Sequence, residues 1–329
     1  MPNLAVSGGS ITAGLLAKEW VNLDFQSGVA RAFQQRIVEP LRDFCRLTID
    51  AVAIGHGLLN PWESVSEAVQ QRYDEHLFQG FSLRQVPEPP RFVFNSTNLQ
   101  TGKSFRFSKP YMGDYRIGLI RDPDAPLSLA VTASSAFPPV LSPVVLKSPP
   151  SFEAVTGSDL NGDPRYTTEI YLTDGGTYDN LGLETVWNRY DTVLVSDAGA
   201  PFKASEVPRT DWLSQARLAL DVATDEARAL RKRALIADFK AKLRDGAYWG
   251  IDTKIGNYPL ADPMTCRREV VEPLAAIRTR LNPFSDEEQG RLINWGYALC
   301  DAALRSHASA LVPDATRPAA WLVPGEPLA

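Results

Sequence analysis

The sequence is poor in the residues that build disulfide frameworks and metal sites. Among 329 residues there are three cysteines and three histidines. Cys45, Cys266 and Cys300 are far apart and odd in number, so neither a disulfide scaffold nor a zinc site is expected, and free thiols are the default. No metal and no cofactor is expected. Positive charge is not in excess either. The 34 Lys and Arg against 39 Asp and Glu leave a net charge of −5, which gives no electrostatic reason to expect a nucleic-acid partner. No apolar run is long enough to cross a bilayer and no signal-peptide pattern follows Met1, so the expected location is cytoplasmic or peripheral to a membrane. Internal repeats and low-complexity tracts are lacking. What remains, 44% hydrophobic and 22% charged residues, is a globular chain large enough for one generous core or for a core with a helical cap.

Close to the start, the apolar run Leu4-Ala5-Val6 passes into Ser7-Gly8-Gly9-Ser10-Ile11-Thr12-Ala13-Gly14. A strand that turns sharply into a helix of small residues at a glycine-flanked serine has the form of a nucleophile elbow, which lifts a serine Oγ clear of the backbone. Ser10 is the expected nucleophile. Gly8 and Gly9 permit its turn, the Ile11 N–H offers an oxyanion donor, and the helix dipole points at the site. The common Gly-x-Ser-x-Gly spacing would need glycine where Thr12 stands.

Far downstream an alternating stretch, Thr168 to Thr173, runs into Asp174-Gly175-Gly176. Asp-Gly is a strong hairpin signal. Against a hairpin, 180–189 reads as a helix and Thr192-Val193-Leu194-Val195-Ser196 as a buried parallel strand. That order makes a βαβ unit with Asp174 at the carboxyl end of its strand, where open α/β sheets hold their sites. A serine elbow and a strand-end aspartate with no well-placed histidine suggest a Ser-Asp dyad. Asp174 would take the Ser10 proton as an acyl carbonyl is attacked.

In these motifs the chain resembles the bacterial patatin-like phospholipases, in which a Gly-x-Ser elbow is followed well over a hundred residues later by Asp-Gly-Gly or Asp-Gly-Ala. The segments Phe92 to Gly102, Ala133-Ser134-Ser135-Ala136-Phe137-Pro138-Pro139, Asp179-Asn180-Leu181-Gly182-Leu183-Glu184, Leu230 to Arg233 and Gly246 to Ile251 are similar as well. The resemblance implies an α/β fold, a three-layer sandwich with a mostly parallel central sheet flanked by helices. It implies a serine acyl hydrolase (lipase, phospholipase or esterase) with Ser10 as nucleophile and Asp174 as base, acting on lipid or other acyl esters. Ser134, Ser135 and Phe137 would lie near the site. The family also carries a Gly-Gly-Gly-x-Arg-Gly oxyanion loop upstream of the elbow. None precedes the elbow here, so the fold is expected to be truncated at its N-terminus and catalysis impaired. Losing one oxyanion donor costs roughly 3–4 kcal/mol. An inactive, lipid-binding or interaction protein of the same fold is the alternative reading.

The expected organisation is one domain over 1–329. Residues 1–200 form the catalytic core with a helical insertion at about 27–78 (helices over 27–38, 41–54 and 62–78), and 201–329 form a mostly helical part packed on it. Phe92, Phe94, Phe105 and Phe107 alternate as core. A helix is expected over 211–244 and another over 285–305, with 246–256 as a loop. Between Arg228 and Arg244 there are seven basic residues and one acidic one. Such a helix either docks on anionic lipid or packs its stripe of Ile236, Phe239 and Leu243 on the core, the preferred reading. Asp159 to Asp163 reads as a solvated turn. A Ser-Asp-His triad would use His307 with Asp174 or Asp197. Without a family strand beside the elbow, the chain as written is expected to aggregate through unpaired strand edges; size-exclusion chromatography showing a monodisperse, cooperatively melting species would contradict this.

Overall fold

The computed structural model describes residues 2–49, 64–279, 281–312 and 315–329. His56 and parts of the helices expected over 41–54 and 62–78 lie outside the described residues. The chain forms two compact units, Met1–Gly182 with Leu281–Pro283, and Leu183–Arg280 with Phe284–Ala329. The division at Gly182 comes ahead of the expected boundary at 200.

In the first unit, β1 (Asn3–Val6) leads into α1 (Gly9–Glu19). A short hairpin follows, β2 (Phe25–Gln26) with β3 (Val29–Ala30), in place of the helix expected from residue 27, and helical structure begins only with a π-helical turn at Gln34–Val38 and α2 (Glu39–Cys45). The helix α3 (Val65–Tyr73) starts at a capping box, in which Ser64 accepts from the Glu67 N–H and Glu67 accepts from that of Ser64.

Next come the strands β4 (Phe92–Asn98), β5 (Lys103–Ser108), β6 (Tyr111–Asp114) and β7 (Gly118–Arg121). They are followed by α4 (Leu127–Ser135), β8 (Val144–Lys147), a single turn α5 (Pro164–Thr167), β9 (Glu169–Asp174) and the turn α6 (Gly176–Asp179). The sheet runs β7-β6-β5-β4-β9-β8, with β1 on β4. It is not the mostly parallel sheet expected: among the described residues of this sheet only β1 pairs in parallel, and the other five pairings are antiparallel. The connections from β4 to β7 are short loops, and short loops join antiparallel neighbours.

Phe92, Phe94, Phe105 and Phe107 are all buried in the core of this unit, as their alternation predicts. Small residues let α1 approach α4 and the turn after α3. A Cβ on Gly14 would fall 2.9 Å from Val131 and 3.0 Å from the Phe78 ring.

The second unit holds a parallel pair, β10 (Thr192–Asp197) and β11 (Asp245–Gly250), joined by α7 (Trp212–Lys240). The strand expected after Asp174 is thus β10, but its partner is β11 and not β9. There is no βαβ unit around Asp174, and Gly176–Asp179 with a 3₁₀ turn at Leu183–Thr185 stands in place of the helix over 180–189. Residues 246–250, expected as loop, belong to strand β11. After the turn α8 (Arg268–Val271), the helix α9 (Asp286–His307) opens on another capping box, Ser285 with Glu288, and packs Trp295, Ala298, Leu299 and Ala302 into a separate core.

Much of the basic charge of α7 is used within this unit. Arg228 donates to the Gly199 carbonyl and pairs with Asp225, and Lys232 lies over the Tyr248 ring. Leu235 is buried, Ile236 and Phe239 are half-buried, and Leu243 is 74% exposed, off the stripe expected for it. No helix among the described residues is long and apolar enough to cross a membrane. Phe94, central in β4, is expected to cost about 3–5 kcal/mol of stability when replaced by alanine, measured by urea denaturation.

Candidate active site

Two strands run toward each other along one edge of β4. The parallel strand β1 follows Phe92 to Asn95 and ends with Val6 opposite Asn95. The antiparallel strand β9 comes from the other direction and ends with Asp174 opposite Ser96. Their carboxyl ends therefore meet at adjacent residues of one strand, and the residue after Val6 faces Asp174.

That residue is Ser7. Its Oγ donates to Asp174 Oδ2 at 2.7 Å across 167 positions of sequence. Its φ of 53° is in the left-handed region, a conformation that costs a non-glycine residue about 1–2 kcal/mol and marks a sharp turn. Three backbone bonds fix the turn: Ser7 N–H to the Ser134 carbonyl at 3.1 Å, Ser10 N–H to the Ser7 carbonyl at 2.9 Å, and Ile11 N–H to the Gly8 carbonyl at 3.2 Å.

Ser10 lies elsewhere. It is in the first turn of α1, 0% exposed, with its Oγ 2.7 Å from Ser134 Oγ. The Ser134 hydroxyl donates to the Asn95 carbonyl at 2.6 Å, so Ser10 is the donor to Ser134. Nearly one helical turn beyond the elbow, the winding of α1 carries the Ser10 side chain inward. The Ile11 N–H, bonded to Gly8, is not free to bind an oxyanion. Gly8 and Gly9 are exposed, and among the described residues their N–H groups meet no acceptor. A Cβ on either would touch nothing within 4 Å, and φ at Gly8 is an ordinary −54°. These glycines are not demanded by packing or conformation; they leave bare donors at a helix N-terminus beside Ser7.

Asp174 is 1% exposed. Its Oδ1 accepts the Gly176 N–H at 2.6 Å, and its own N–H donates to the Ala136 carbonyl at 3.0 Å. Burial raises its pKa from 3.8 to about 6, against the lowering effects of the Ser7 hydroxyl and the Gly176 N–H. Both glycines of Asp-Gly-Gly are required by close approach. A Cβ on Gly175 would lie 2.2 Å from the Asn95 carbonyl oxygen, and one on Gly176 would lie 3.0 Å from the carboxylate it serves. The Gly175 N–H donates to the Ser134 carbonyl at 3.2 Å.

Of the other expected residues, Ser134 is at the centre of this network, whereas Ser135 bonds the Val131 carbonyl and the Tyr73 hydroxyl. Phe137 is 40% exposed. The hydrogen-bond partners of the Asp174 carboxylate are Ser7 and Gly176, and neither is a histidine. His307 ends α9 beside the Tyr258 ring, and His76 lies beside Phe44. Asp197 accepts from the Tyr248 hydroxyl at 2.7 Å. Among the described residues no group of three or more His, Cys, Asp or Glu side chains could hold a metal ion.

The sequence did carry a signal for Ser7. Ala5-Val6-Ser7-Gly8-Gly9 departs from Gly-x-Ser-x-Gly only at Ala5, just as Gly8-Gly9-Ser10-Ile11-Thr12 departs only at Thr12. A family model described as patatin-like phospholipase matches residues 4–187, more than half of the chain and the whole span from β1 through the Asp174 turn. The chain belongs to the patatin-like phospholipase family, whose members are in general lipid acyl hydrolases. No curated protein matches it.

The raised pKa of Asp174 has a sign for stability. Between its ordinary pKa and about 6 the folded chain holds a proton that the unfolded chain releases, so stability falls as pH rises through that window. Above it the buried carboxylate is a standing cost of about 3 kcal/mol. Asp174→Asn, whose amide can accept from Gly176 and donate to Ser7 Oγ, is expected to melt higher than the wild type at pH 7.5, and the gap is expected to close on acidification; thermal melts over the pH series measure this.

Proposed function

We propose that this protein hydrolyses carboxylic esters of lipids through a dyad of Ser7 and Asp174. The observation that carries the reading is the 2.7 Å bond from Ser7 Oγ to a buried carboxylate, made at a strained strand-to-helix turn. The nucleophile is therefore assigned to Ser7 and not to Ser10. As Ser7 Oγ attacks the acyl carbonyl, its proton passes to Asp174 Oδ2, and the carbonyl oxygen gains negative charge. The free N–H groups of Gly8 and Gly9, at the positive end of α1, are the donors nearest to receive it. Collapse of the tetrahedral species expels the alcohol, which leaves with the proton held by Asp174. Water, deprotonated by the same carboxylate, then releases the fatty acid and restores Ser7.

Burial that raises the Asp174 pKa serves this chemistry, because a stronger base still ionised at neutral pH takes a hydroxyl proton more readily. Membership of a lipid acyl hydrolase family supports a lipid ester as the substrate class.

Ser7→Ala is expected to abolish both p-nitrophenyl butyrate turnover and labelling by a fluorophosphonate, while Ser10→Ala stays labelled at a reduced rate. Turnover is expected to rise with pH along an acid limb centred near 6, where Asp174 ionises. Full labelling of Ser7→Ala together with loss of labelling in Ser10→Ala would return the nucleophile to Ser10.

A further inference from the structure

We propose that Ser134 is a positioning residue for the Ser7–Asp174 pair, an inference that rests on the dyad reading. The end of α4 presents both polar groups of Ser134 to the place where β1 and β9 converge. Its carbonyl accepts two N–H groups, Ser7 at 3.1 Å from one side and Gly175 at 3.2 Å from the other. A single oxygen thus ties the residue bearing the hydroxyl to the residue following the carboxylate. Its hydroxyl fixes the carbonyl in place, donating to the Asn95 carbonyl at 2.6 Å and accepting from Ser10 Oγ at 2.7 Å. Asn95 is the β4 residue opposite Val6, and its side chain donates to the Ala5 carbonyl at 3.1 Å. Ser134 and Ser10 are both 0% exposed, so neither hydroxyl has bulk water as an alternative partner.

The chain of bonds gives Ser10 its part as well. Its hydroxyl holds the first turn of α1 to Ser134, which sets the pitch of the helix that leaves Gly8 and Gly9 facing outward. Ser134 touches neither the reacting hydroxyl nor the carboxylate, and acts by setting the distance between them.

The test compares Ser134→Ala with the wild type, with Ser7→Ala and Asp174→Asn as separate arms, following p-nitrophenyl butyrate kinetics, fluorophosphonate labelling rate and stoichiometry, and melting temperature. The expected result is a kcat about tenfold to a hundredfold lower with KM within about twofold. Labelling slows in parallel, and the acid limb moves to higher pH as the Ser7 hydroxyl leaves the carboxylate. Ser10→Ala is expected to show the same changes in smaller measure, and the double variant to be no worse than Ser134→Ala alone, since both act through one bond.

A folded Ser134→Ala with kcat within about twofold and an unmoved acid limb overturns the proposal. So does a reduced labelling stoichiometry with unchanged kcat per labelled site, which is the mark of a role in folding only. If Ser134→Ala does not fold, the same readouts on Ser10→Ala decide. Ser7→Ala with wild-type turnover would reject the dyad and this proposal with it, whereas loss in Ser7→Ala but not in Ser134→Ala rejects the proposal alone.

Discussion

The register of β4 is the constraint on which the rest of the first unit depends. Its edge is divided between a parallel strand that ends opposite Asn95 and an antiparallel one that ends opposite Ser96. Neither strand can slide by one residue without turning its side chains to the opposite face, and on β4 the aromatic residues Phe92 and Phe94 are committed to the core. Hydrophobic burial on one face thereby sets where two polar chain ends meet on the edge. The polar residues of β4 finish the arrangement: Asn95 donates to the Ala5 carbonyl and Thr97 to the Asp174 carbonyl, satisfying backbone groups where the ladders stop.

Several features at this junction weaken the fold locally and are bought back by packing around it. Ser7 holds a left-handed conformation, Asp174 keeps a carboxylate away from water, and two successive glycines follow it. Each is unfavourable by about 1 kcal/mol or more taken alone. They are sustained because the surrounding groups over-determine them, with one Ser134 carbonyl accepting from both sides and the core helices α1 and α4 pressed together where Gly14 leaves room for the Val131 side chain. Strain, desolvation and exposed helix-end donors are thus concentrated at one point, where the fold departs from the rules of its own stability.

Local signals in the sequence were legible where chemistry and geometry coincide in a short stretch. Asp-Gly-Gly after an alternating strand, the elbow between Leu4 and Gly14, the aromatic alternation from Phe92 to Phe107 and the long helix from residue 212 all stand in the structure. Pairing was not legible, because strand partners depend on contacts between distant segments. The strand over Thr192–Ser196 reads as completing a βαβ unit with the strand before Asp174, yet β10 finds its partner at Asp245–Gly250 across a 29-residue helix. Which serine of the elbow bonds Asp174 was not legible for a related reason. Two residues separate Ser7 from Ser10, both serines flank the same glycines, and only the winding of α1 decides which hydroxyl faces Asp174. The part played by the Ser134 carbonyl is beyond any reading of residue types, since every residue has a carbonyl.

The strand that carries Ser7 is four residues long and, among the described residues, pairs with β4 alone. Ser7 and Asp174 thus ride on elements of unequal tenacity, since β9 lies between β4 and β8. A strand held along one edge opens at a free energy below that of the whole unit. The hydrogen-bonded pair can accordingly come apart while the rest of the sheet stays folded, and the temperature at which that bond is lost is set by the grip of β1 on its neighbour rather than by the melting of the core.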